Sequence, residues 1–175
     1  MEKKIIKKKL KELKLSNNYR IRKIKDSGNS HLFLYKNKEY LSFASNDYLS
    51  LANDKRIIKA AKMALDKHGY STSSSALISG YTASHHKLEE EISEFLGQEK
   101  TLLFSTGYQA NLGVIKALVS RDDNIIADQL NHASLIDGSI LSRANFKRYN
   151  HNDYKDLEKK ILKFKAKNNL IISDS

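Results

Sequence analysis

The sequence predicts an α/β fold built on a mainly parallel sheet, preceded by a helical arm and a small strand pair. Three observations carry this. From residue 101 onward, short apolar runs that fit strands (101–104, 124–127, 146–149, 169–173) alternate with longer amphipathic segments that fit helices (107–119, 132–141, 153–166). Connections of that length join parallel neighbours, because a hairpin needs only a few residues. The first fifty residues follow another pattern, so 1–50 reads as an arm or small subdomain and 51–175 as the first part of a larger domain.

Each element has a local cause. Ile5, Ile6, Leu10 and Leu13 recur at helical spacing within Ile5–Leu15. Tyr19–Ile24 is a connector carrying Arg20 and Arg22. Two short strands, 32–35 and 40–43, flank a polar turn at Lys36-Asn37-Lys38. Asn53 or Asp54 caps a helix to about Lys67, which Gly69 stops. After the hydroxyl-rich loop Ser71–Ser75, a second long helix spans Ala83–Leu96, with Gly97 just past its end.

Composition narrows the chemistry. The 175 residues include no cysteine, which removes disulfides, thiolate catalysis and cysteine metal sites. The 31 Lys and Arg against 20 Asp and Glu give a net charge of +11. The lysines are dispersed, with no aromatic-interleaved patch, so the expected partners include no nucleic acid. No apolar run approaches a membrane span, and no membrane partner is expected. Met1–Lys14 lacks the apolar core of a secretory signal, so the expected compartment is cytoplasmic.

The chemical signal is the stretch Phe104-Ser105-Thr106-Gly107-Tyr108-Gln109-Ala110-Asn111. A helix N-terminus offers unpaired N–H groups and a positive dipole end, and Gly107 lets an anion approach the backbone. His132 opens the next helix at the same sheet edge, where an imidazole can stack on a flat heteroaromatic ring. Together they point to pyridoxal phosphate. His85 and His86 lack a third metal ligand, and Glu89–Glu91 reads as a solvated helix face.

Set beside Ser45-Asn46-Asp47-Tyr48-Leu49, Ser79-Gly80-Tyr81 with His85 and Leu88-Glu89, Asn131-His132-Ala133-Ser134-Leu135 and His151-Asn152-Asp153, this stretch resembles the α-oxoamine synthases. These are pyridoxal-phosphate enzymes of the aspartate-aminotransferase fold. The resemblance runs from about Leu10 to Ser175. It implies the first part of the large cofactor-binding transferase domain, and decarboxylative condensation of an amino acid with an acyl-CoA or acyl-carrier-protein thioester. The Ser-Gly-Tyr-Thr segment ahead of His85 favours the biotin-synthesis branch, with L-alanine and a pimeloyl donor. The stretch from Asn131 to Gly138 is equally at home in the branches of 2-amino-3-ketobutyrate CoA ligase and 5-aminolevulinate synthase. It also implies that Gly107 and Tyr108 bind the phosphate, that His132 stacks on the pyridine ring and helps orient substrate, and that Arg20 and Asn46 belong to the substrate pocket. A homodimer is implied as well.

Two departures from the family pattern stand out. Members often carry glycines where this chain has Ser71–Ser75, and commonly an arginine at the position of Ala76. The family's Schiff-base lysine and its ring-nitrogen aspartate match positions beyond Ser175. The 175 residues alone are therefore expected to form no covalent cofactor adduct, and the apolar sheet edge left after the strand 169–173 is expected to make them poorly soluble or partner-dependent. A non-catalytic chain that binds a phosphorylated ligand or a partner is the rival expectation.

Overall fold

The structure, a computed structural model, describes residues 3–22, 24–25 and 31–174. The chain divides into two compact units, Met1–Ser73 and Ser74–Ser175.

In the first unit, α1 (Lys3–Leu15) precedes the antiparallel pair β1 (Leu32–Tyr35) and β2 (Lys38–Leu41). Lys36 and Asn37 both take positive φ, 52° and 59°, as a two-residue hairpin turn requires. That turn is shorter than the sequence suggests, so β2 begins at Lys38 and not at Tyr40. Phe33 and Tyr40 face each other across the ladder, with ring centroids 5.7 Å apart. α2 (Lys55–His68) starts where the Asp54 carboxylate accepts from Arg56 N–H, and ends at Gly69 with φ 78°. No described residue of this unit is buried.

The second unit holds the core. α3 (Ala83–Leu96) ends at Gly97 in the left-handed conformation. α4 (Gly107–Leu118), β3 (Asn124–Asp128), α5 (Ala133–Ser142), β4 (Asn145–Tyr149), α6 (Tyr154–Lys163) and β5 (Asn169–Ile172) follow. The three strands are parallel, in the order β4-β3-β5. Every residue of β3 is buried. Ile125 and Ala127 join Ile115 of α4, Val119 just past its end, Ala144 and Ile172 in one cluster, flanked by Leu135 and Phe146. Full burial of Ile125 and Ile126 stabilises the unit by about 1.5–3 kcal/mol each.

The apolar run 101–104 forms no ladder. β3 already has a neighbour on each side, and the run is held by other means. Leu103 N–H donates to Glu89 Oε1 (3.0 Å), and Ser93 Oγ donates to Thr101 Oγ1 (2.8 Å). The Phe104 ring lies against Gly113, where an added Cβ would come within 3.1 Å of it. Glu89 is thus no simple solvated residue: Tyr81 Oη also donates to it at 2.6 Å, and these two bonds hold its carboxyl below the usual range.

Asparagine amides lock the register at the amino end of the sheet. Asn124, 1% exposed, donates to Phe164 O (2.5 Å) and Asn169 Oδ1 (2.8 Å), and accepts from Asn145 Nδ2 (2.9 Å). One side chain therefore ties all three strands together. Asn124→Leu leaves these partners without their bonds in a dry site, and is expected to cost about 2–3 kcal/mol. Urea unfolding of the variant checks this; an unchanged midpoint would contradict it.

Candidate functional site

The carboxyl end of the sheet is pinned by the β3–α5 turn. Gln129 N–H donates to Tyr149 O at the end of β4 (3.1 Å). Asn131 Nδ2 donates to Ile172 O at the end of β5 (3.0 Å), and His132 N–H donates to Asp174 Oδ2 (3.1 Å). Asp128 holds the turn from inside. Its buried carboxylate accepts from Leu130 N–H (2.8 Å) and Asn152 N–H (3.1 Å), and it pairs with His151 Nδ1 (3.0 Å). These bonds, the Leu130 N–H foremost, hold the Asp128 carboxyl below its ordinary value. His132 therefore sits where three strand ends place it.

α4 supplies the other half. Thr106 Oγ1 accepts from Gln109 N–H (3.1 Å), so the cap occupies the third N–H of the helix. The N–H groups of Gly107 and Tyr108 have no partner among the described residues. A Cβ built on Gly107 meets nothing within 4 Å, so the space beside that residue is open. Two side-chain bonds join the helices at this level: Tyr108 Oη donates to Asp137 Oδ2 (2.8 Å), and Asn111 Nδ2 donates to Ser134 Oγ (2.8 Å). The bond to Asp137 raises the Tyr108 hydroxyl above its usual value. Gly138 permits the close crossing, since a Cβ there would lie 2.9 Å from Ile115 Cδ1 and 3.4 Å from Leu112 Cα.

The structure thus joins the start of α4, with Gly107 and Tyr108, to α5, the helix that His132 caps. His132 is the N-cap of α5, and its Nδ1 accepts from Ser134 N–H (3.2 Å). Arg20 and Asn46 lie in the first unit, exposed, and are placed within that unit alone. Asn46 sits in a loop fixed by Asp47, which accepts from Leu51 and Ala52 N–H. Ser45, Asp47 and Tyr48 of that loop line a cleft of about 390 Å³. Ser175 lies outside the described residues. Asn111 and Ser134 fall within motifs that the sequence offered, and Asp174 at the end of its last predicted strand, but the bonds that they and Asp137 make were not read from the sequence. Their partners lie 23 to 42 residues away, so no local pattern gives the pairing. His85 and His86 have structural partners: Thr82 N–H donates to His85 Nδ1 (3.3 Å), and His86 faces Glu90 (3.3 Å). No group of residues that could hold a metal ion occurs among the described residues. None of their helices is long and apolar enough to cross a membrane.

Residues 38–175 match the family model of aminotransferase class I and II. The chain is 45% identical over 157 residues to the 8-amino-7-oxononanoate synthase of Nitrosomonas eutropha, covering 90% of this chain and 41% of that protein. The serine palmitoyltransferase of Sphingomonas wittichii superposes with a TM-score of 0.84 at 32% identity, over 97% of this chain and 43% of that one. A second serine palmitoyltransferase, from S. paucimobilis with a bound PLP–myriocin aldimine, gives 0.84 at 27% identity, over 95% and 42%. The chain spans about two fifths of the length of the relatives it matches.

Asp128 makes stability depend on pH. Its folded carboxyl titrates below the ordinary 3.8, so at acid pH the unfolded chain binds its proton first. The contribution is full above about 3.8 and is lost as pH falls through the lower folded value. Asp128→Asn is expected to be less stable than wild type at neutral pH, with the gap narrowing as pH falls below about 3.8. Urea midpoints measured from pH 7 to pH 2.5 check this; a gap independent of pH would contradict it.

Proposed function

We propose, since this chain belongs to the aminotransferase class I and II family, that it carries the phosphate-binding and ring-stacking part of a pyridoxal-phosphate-dependent acyltransferase. The observation that carries this reading is the junction of α4 and α5. Two N–H groups at a helix N-terminus have no partner among the described residues, the space beside Gly107 is open, and the Asn111–Ser134 bond joins this helix to the residue that donates to His132. A phosphate fits the first feature and a flat ring fits the second. When bound, pyridoxal phosphate supplies an electron sink for the negative charge that develops at an amino acid's α-carbon as CO2 leaves.

This chain's own residues do the holding. Gly107 and Tyr108 N–H would donate to the phosphate, and the N-terminal end of the α4 dipole favours its charge. The Tyr108–Asp137 bond keeps the tyrosine ring from swinging across that position. His132 would cover the heteroaromatic ring, its place set by Asp174, Asn131 and Ser134. Arg20 and Asn46 are proposed to bind substrate, the arginine through an anionic group. The identity to 8-amino-7-oxononanoate synthases supports L-alanine and a pimeloyl thioester, on CoA or on a carrier protein, as the substrates. Assembly as a homodimer and a cytoplasmic location complete the proposal.

Two experiments test it. The intact protein, supplied with pyridoxal phosphate, L-alanine and pimeloyl-CoA, should release one CO2 per free thiol formed. Absence of both products, or turnover with another amino acid and acyl donor alone, would overturn the substrate assignment. Gly107→Ala separates binding from folding. The position is open and conventional for helix, so stability should hold or rise slightly. The new methyl stands in the anion's approach, so affinity for pyridoxal phosphate should fall at least about tenfold. Unchanged affinity in a titration of the variant would contradict the phosphate site.

A further inference from the structure

The hydrogen bonds around His132 have a direction. Ser134 N–H can only donate, and it lies 3.2 Å from His132 Nδ1. Asn111 Nδ2 is also a donor, and it lies 2.8 Å from Ser134 Oγ. The hydroxyl oxygen therefore accepts from Asn111, which leaves the hydroxyl proton free to be donated to Nδ1, 2.7 Å away. Ser134 is 1% exposed, so little water competes for that proton. Two donors converge on Nδ1, and both need its lone pair. We infer that Asn111 and Ser134 are positioning residues that hold His132 as the neutral imidazole with its proton on Nε2.

The consequence bears on the ligand. Nε2–H has no partner among the described residues, so the ring offers one donor at a fixed position and an uncharged face for stacking. Asn111 lies in the first turns of α4 and Ser134 in the first turn of α5, so the helix that offers its N–H groups to the phosphate also sets the histidine's tautomer. The role toward a bound ring rests on the proposed cofactor; the tautomer does not.

The test reads the ring itself. The intact protein, free of cofactor, is labelled with 15N-histidine, and proton–nitrogen correlations assign the protonated nitrogen of His132. Wild type should show a proton on Nε2 and a bare Nδ1. Ser134→Ala removes one of the two donors, and the Nδ1-protonated share should rise roughly fivefold. Asn111→Asp keeps the shape but puts an acceptor beside Ser134. The hydroxyl then turns its proton away from the ring, and the Nδ1-protonated share should rise again. A proton on Nδ1 in wild type would overturn the inference, as would a ratio that neither variant moves. Failure of the protein to bind pyridoxal phosphate with the tautomer as expected would sink the cofactor reading and leave this assignment standing.

Discussion

The second unit depends on β3 having no free edge. A strand buried on both faces and paired on both sides can accept no slip, because a one-residue shift would turn Ile125 and Ala127 away from the cluster they share with α4. Its two polar ends enforce that register from inside the protein. At the amino end the Asn124 amide bridges to β4 and β5, and at the carboxyl end the Asp128 carboxylate gathers the N–H groups of Leu130 and Asn152. A buried amide or carboxylate without those partners would be costly, so each pairing also excludes its alternatives.

From that register the site follows geometrically. The turn leaving β3 is tied forward to the ends of both neighbouring strands, through Gln129 on one side and Asn131 and His132 on the other. α5 starts where the turn ends, and α4 meets α5 across Gly138. The helix that presents the N–H groups of Gly107 and Tyr108 is thereby joined to the His132 imidazole through Asn111 and Ser134. The backbone proposed to bind the anion comes from α4, and the side chain proposed to cover the ring from the turn that leaves the carboxyl end of β3.

Much of this was legible in the sequence, for reasons that are local. Asp54 caps its helix with a side chain two residues from the N–H group it accepts from, and Gly69 and Gly97 end helices with their own positive φ. What was not legible is long-range. The run 101–104 has the composition of a strand, but a strand exists only with a ladder, and here Glu89 and Gly113 hold the segment instead. The hairpin turn closes over Lys36 and Asn37 because a lysine takes a left-handed φ, which composition does not announce. Gly107, Tyr108 and His132 were visible as a motif. The bonds by which Asn111, Ser134, Asp137 and Asp174 hold them were not, since those hydrogen bonds exist only after the helices and strand ends have met.

The claim at the centre of this account is that the first turn of α4 receives a phosphate. The direct measurement is an amide-resolved titration of the intact protein with pyridoxal phosphate, following the backbone N–H resonances of Gly107 and Tyr108. The account predicts that these two signals shift most and saturate together with the cofactor's visible absorbance. Saturating cofactor binding that leaves both amides unmoved would place the phosphate elsewhere and contradict it.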